Sequence, residues 1–79
     1  MIEGLALDEL REARDLTQEH LAKVLHVNQS AISKLERRTD MYVSTLQDFV
    51  RAMGGRLEIR AVFPDGAVRI NQFAELAKR

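Results

Sequence analysis

The chain has 79 residues, 46% of them hydrophobic, with no cysteine, no tryptophan, and twelve basic residues balancing twelve acidic ones. That length supports one small domain with a modest core. It excludes disulfide staples and thiol nucleophiles, and no apolar run approaches the ~20 residues that a membrane-spanning helix needs. A net charge of zero argues against a uniformly basic nucleic-acid binder, so the distribution of charge carries the information.

That distribution is polarised. Residues 1–16 hold five acids against two bases, residues 29–38 three bases against Glu36, and residues 56–79 five bases against three acids. The N-terminal run MIEGLALDEL lacks the basic start and apolar core of a signal peptide, so a soluble, cytoplasmic protein is expected. A core this small supplies little stability by itself, which makes a dimer interface an attractive second source.

Asp8 is a plausible N-cap for a first short helix through Leu10, Ala13 and Arg14. Thr17 caps the next, where Leu21, Ala22 and Leu25 form an apolar stripe. His26 and Val27 make a turn. Asn28 then caps a third helix, with Ala31, Ile32 and Leu35 inward and Gln29, Ser30, Ser33, Lys34 and Arg37 outward. A fourth helix runs from about Val43 to Met53, burying Val43, Leu46, Phe49, Val50 and Met53, and Gly54-Gly55 ends it.

The period then changes to alternation. In Arg56 to Phe63, Leu57, Ile59, Ala61 and Phe63 share one face while Arg56, Glu58 and Arg60 share the other, as in a half-buried strand. Pro64-Asp65-Gly66 is a turn, and Val68 and Ile70 continue the apolar face on a second strand, which completes a β-hairpin. Two strands alone are marginal in water. The hairpin must pack on the helices, pair with another chain, or both. Phe73 to Arg79 reads as a frayed helical tail. The expected organisation is a single domain over 1–79: a helical part over 1–55, a hairpin and dimerisation element over 56–73, and a tail over 74–79.

The functional argument rests on 16–36, LTQEHLAKVLHVNQSAISKLE. Two short helices joined by a tight turn let the second enter a major groove, where its first residues meet base edges. Gln29 can pair bidentately with adenine, Ser30 can donate or accept, and Lys34 reaches guanine acceptors or a phosphate. Gln18 begins the preceding helix, where free N–H groups face the backbone, and Asn28, Ser33, Arg37 and Arg38 are further phosphate candidates. The same residues also suit an amphipathic helical hairpin whose polar face only meets water, and on residue types alone the two readings stand level.

Leu16-Thr17-Gln18-Glu19, Leu21-Ala22, Val27, Ser30, Ile32-Ser33 and Leu35-Glu36 together resemble the signature of the XRE family, the helix-turn-helix proteins of lambdoid-repressor type. The match covers roughly 7–53. It implies an α+β fold in which a four-to-five-helix repressor-like bundle precedes a C-terminal β-hairpin that pairs in a dimer. It also implies an Arg11–Glu36 bridge of structural rather than DNA-contacting role. His26 stands where the family has glycine, and His20 where a capping-box glutamate is usual. From Glu36-Arg37-Arg38-Thr39-Asp40-Met41-Tyr42-Val43 through Met53-Gly54-Gly55 and Leu57 to Ile70, the chain is similar to HigA-like antitoxins of type II toxin–antitoxin systems.

That resemblance implies a homodimer that represses its own operon from pseudo-palindromic DNA and sequesters a RelE-like or Gp49-like toxin that cleaves messenger RNA. The dimer residues would be Leu57, Ile59, Ala61, Phe63, Val68 and Ile70. Two alternatives stand beside it: an XRE regulator without a toxin, and a protein-interaction module that has lost DNA binding. No enzyme, cofactor or metal is expected, since His20 and His26 lie six apart and there is no glycine-rich phosphate loop.

Overall fold

The first helix begins where Glu9 can reach back. Its carboxylate accepts the Ala6 amide at 3.0 Å, and helix α1 spans Leu7–Ala13 with Ala6 as N-cap. Asp8 is therefore inside the first turn rather than before it, with its Oδ1 accepting the amide of Glu9. Acids in the first turn complement the positive end of the helix dipole. The computed structural model describes residues 4–73, so the tail expected over 74–79 lies outside the described residues.

Asp15 ends α1 in the left-handed conformation at φ 57°, with Asp15 N–H donating to Glu12 O and Leu16 N–H to Arg11 O. This is the paired closure of a Schellman motif. Thr17 Oγ1 accepts the His20 amide at 3.0 Å and starts α2, Gln18–Leu25. That helix closes in the same way: His26 sits at φ 58°, with Val27 N–H on Ala22 O and His26 N–H on Lys23 O. Histidine bears the strain that a glycine would avoid. Asn28 Oδ1 then accepts the Ala31 amide at 3.0 Å and starts α3, Gln29–Glu36.

By contact density the chain divides between Met41 and Tyr42. In the first unit α2 packs on α3, and the core is Leu21, Ala22 and Ile32, with Leu21 and Ile32 at 0% and 1% exposure. Burial of each such large side chain contributes about 1.5–3 kcal/mol. Ala31, expected inward, is exposed; it follows the first two outward residues of α3, and the core-facing line runs through Ile32 to the half-buried Leu35.

The second unit holds α4, Val43–Ala52, and a two-stranded antiparallel sheet of β1, Arg60–Phe63, and β2, Gly66–Arg69. Phe49, Met53 and Gln47 are its buried side chains. Gln47 is the polar exception: its Nε2 donates to Phe73 O at 3.2 Å, while its Oε1 has no partner among the described residues. Gly54, at φ 90°, permits the Gly55 amide to reach Val50 O and close the helix.

β1 is shorter than the run of Arg56 to Phe63 that alternation suggested. The turn places Phe63 opposite Gly66, so β2 offers partners only as far back as Arg60; one further bond, Ile70 N–H to Ile59 O at 2.8 Å, extends the pairing. Pro64 and Asp65 both keep negative φ, so the primed turns suited to a two-residue loop are not used, and Gly66 at φ 148° absorbs the difference. Among the described residues the result is α+β: four helices followed by a hairpin.

Candidate nucleic-acid interface

The outward side of α3 is built from its cap onward. Asn28 Oδ1 accepts both the Ala31 amide and, at 2.7 Å, the hydroxyl of Ser30. Ser30 is exposed, but its proton is given to the cap, so its oxygen faces outward as an acceptor. Gln29 is exposed and its Nε2 donates to Gln18 Oε1 at 3.3 Å. That contact fixes the amide while leaving its oxygen and second N–H available, the acceptor–donor pair that matches an adenine edge. Lys34 is exposed, with no hydrogen bond or ion pair among the described residues.

Behind these residues lies a network from α1 to α3. Arg11 Nε donates to Glu36 Oε2 at 2.6 Å and Nη2 to Oε1 at 3.4 Å, while Nη1 donates to Leu16 O at 2.8 Å. Gln18 Nε2 donates to Glu36 Oε1 at 2.9 Å. The Arg11 and Glu36 side chains are only 11% and 3% exposed, so this is a buried, fork-shaped pair and not a surface one. The hydrogen bond to Glu36 raises the Arg11 pKa above its ordinary value, against the opposing effect of desolvation. The family resemblance implied the Arg11–Glu36 bridge but not that Gln18 joins it.

The phosphate candidates divide. Gln18 is half-buried and its amide is engaged by both Glu36 and Gln29. Asn28 spends its oxygen on the cap. Arg37 folds back, with Nη2 donating to Ser33 Oγ at 3.1 Å and Nε to Ser33 O at 3.3 Å; Ser33 is itself half-buried. Arg38 is exposed, with no hydrogen bond or ion pair among the described residues. Thus Lys34 and Arg38 are the two cations here that extend into solvent without internal partners among those residues.

On the hairpin, Leu57, Ile59 and Ala61 are half-buried. Phe63, Val68 and Ile70 are 55%, 60% and 37% exposed. The register puts Ala61 opposite Val68 and Ile70 N–H reaches Ile59 O, so Ile59, Ala61, Phe63, Val68 and Ile70 lie on one face, while Leu57 precedes β1. Arg56, Glu58 and Arg60, which alternation placed together on the other face, are joined there by Arg69, which spacing did not single out: Glu58 faces all three arginines. The alternating period was the available signal.

A helix-turn-helix domain family matches residues 4–62. A relative from Mycobacterium tuberculosis, named as an antitoxin, HigA2, is 38% identical over 60 residues, covering 73% of this chain. The chain spans 59% of that relative's length. A solved structure described as a DNA-bound antitoxin, HigA3, superposes with a TM-score of 0.75 at 33% identity, covering 87% of this chain and 92% of its own. Another, of a HigA antitoxin described as inducing DNA bending through a unique dimerisation, gives 0.76 at 33% identity, with 89% and 96% covered. The chain therefore belongs to the helix-turn-helix domain family, as an XRE-like member of the HigA-antitoxin type.

Proposed function

We propose that this chain is a dimeric DNA-binding antitoxin that represses its own operon and neutralises a RelE-like or Gp49-like mRNA-cleaving toxin. The observation that carries the DNA reading is the opening of α3. Its first two residues, Gln29 and Ser30, are exposed, polar and pre-oriented by Gln18 and Asn28. In this reading Gln29, Ser30 and Lys34 contact bases. Gln18, Asn28, Ser33, Arg37 and Arg38 line the phosphate side, Gln18 and Asn28 acting partly through backbone N–H groups at the starts of α2 and α3 because their side chains are already engaged.

The description of the HigA3 relative as DNA-bound supports the same assignment. The matched family is a helix-turn-helix domain, and no described helix is long and apolar enough to cross a membrane.

The dimer in this reading forms through the hairpin's apolar face, with Leu57, Ile59, Ala61, Phe63, Val68 and Ile70 covered by the second copy. A two-fold dimer presents two α3 helices to half-sites about 34 Å apart or a multiple of that. The name of the HigA2 relative supports the toxin partner. The test is a two-part assay in cells. Supplied in trans, the chain is expected to silence a reporter behind its own upstream promoter. Co-expressed with a RelE-like or Gp49-like protein encoded beside it, it is expected to restore growth. A reporter that stays on would refute the repressor role, and growth arrest that persists despite expression would refute the antitoxin role.

A further inference from the structure

The second face of the hairpin is charged in a way that strand pairing does not favour. Arg60 and Arg69 stand directly opposite each other across β1 and β2, and like charges in that position oppose pairing. Arg56 joins them. Its Nη2 is 3.6 Å from Glu58 Oε1, Arg69 Nη1 is 3.4 Å from the same oxygen, and Arg60 Nη2 is 3.8 Å from Oε2. One carboxylate thus serves three guanidiniums.

The arginine side chains are 80%, 57% and 58% exposed, so most of their N–H donors remain open to an outside acceptor. Glu58, Arg60, Ala67 and Arg69 line an open hollow of about 400 Å³. Exposed ion pairs at such distances add little stability, so the network by itself does not explain an opposed arginine pair.

We propose that this face binds the phosphate backbone of nucleic acid without regard to sequence, its three guanidiniums carrying more positive charge than the single Glu58 carboxylate neutralises. The fork of a guanidinium matches a phosphate, and the uncompensated positive charge matches a polyanion. The proposal rests on the DNA-binding reading and adds to it a second contact: α3 selects the sequence, and the hairpin adds affinity that is the same on any duplex.

The test uses the full chain and a short random-sequence duplex, with the dissociation constant measured across a salt series. The triple variant R56Q/R60Q/R69Q is expected to reduce the slope of log affinity against log salt by about two to three, since each phosphate contact contributes ~0.9. Glu58→Gln is expected to act in the opposite direction and tighten binding severalfold, an effect that misfolding or loss of the dimer cannot imitate. An unchanged slope in the triple variant, or Glu58→Gln binding no more tightly than the parent, would overturn the proposal and leave the arginines as a guard against edge-to-edge pairing. The ratio of operator to random-sequence affinity is expected to be the same in all variants. A parent chain without operator preference, whose slope still falls in the triple variant, would refute the operator reading and leave the phosphate face standing.

Discussion

Arg11→Met separates a buried ion pair from a surface one. It leaves the Glu36 carboxylate, 3% exposed, with Gln18 Nε2 as its remaining hydrogen-bond donor among the described side chains. Removing one partner of a buried pair costs about 3–5 kcal/mol, because the other charge stays desolvated. For a chain this size, against a total stability of ~5–15 kcal/mol, that is a large fraction. Glu36→Leu leaves Arg11 with its bond to Leu16 O and 11% exposure, so its cost is at the lower end of the same range.

The double variant removes both charges and is expected to lose less than the sum of the singles by about 2 kcal/mol or more. Urea unfolding followed by circular dichroism measures all four corners, at one protein concentration because dimerisation adds to apparent stability. The raised pKa of Arg11 means that its contribution is fully present below the ordinary guanidinium range and is lost only as pH rises through the still higher folded value. The Arg11 charge is therefore the same at neutral and mildly alkaline pH. Additive singles, or singles each costing under about 1 kcal/mol, the value for exposed pairs, would refute the buried-network account.

Other substitutions probe the turn, the cap and the hairpin. His26→Val forces a β-branched residue into φ 58° and is expected to cost about 1–2 kcal/mol in the same unfolding assay, whereas His26→Gly stays within ~1 kcal/mol of the parent. Asn28→Ala removes the acceptor of the Ala31 amide and the Ser30 hydroxyl; a loss of ~1 kcal/mol is expected, read as a lower urea midpoint at constant m-value. Val68→Glu puts a charge on the apolar hairpin face at a position 60% exposed in the single chain, and sedimentation equilibrium is expected to find monomer where the parent is a dimer.

Much of the helical half was legible because its signals are local. Thr17 and Asn28 each place a side-chain oxygen three residues before an amide that needs it, and Gly54 marks the close of α4. What escaped was non-local or depended on a partner. Ala6 took the cap position because Glu9 reached back, a choice that a search for cap-type side chains at Asp8 does not see.

The length of β1 depended on where β2 stopped, and the seat of Gln18 depended on Glu36 and Gln29, eighteen and eleven residues away. Gln47 lies four residues after Val43 on the buried side of α4. A polar residue at that spacing signals an internal partner, and Phe73 supplies one. The opposed arginines of the hairpin required the register, which fixed Arg60 against Arg69.

The central claim, that the start of α3 chooses a DNA sequence, is tested most directly by titrating the operator and a scrambled duplex with the parent, Gln29→Ala and Lys34→Ala. Each variant is expected to lose about 1–3 kcal/mol of operator affinity while keeping most of its affinity for scrambled DNA. Operator affinity unchanged in both variants, or operator and scrambled affinity falling together, would contradict it.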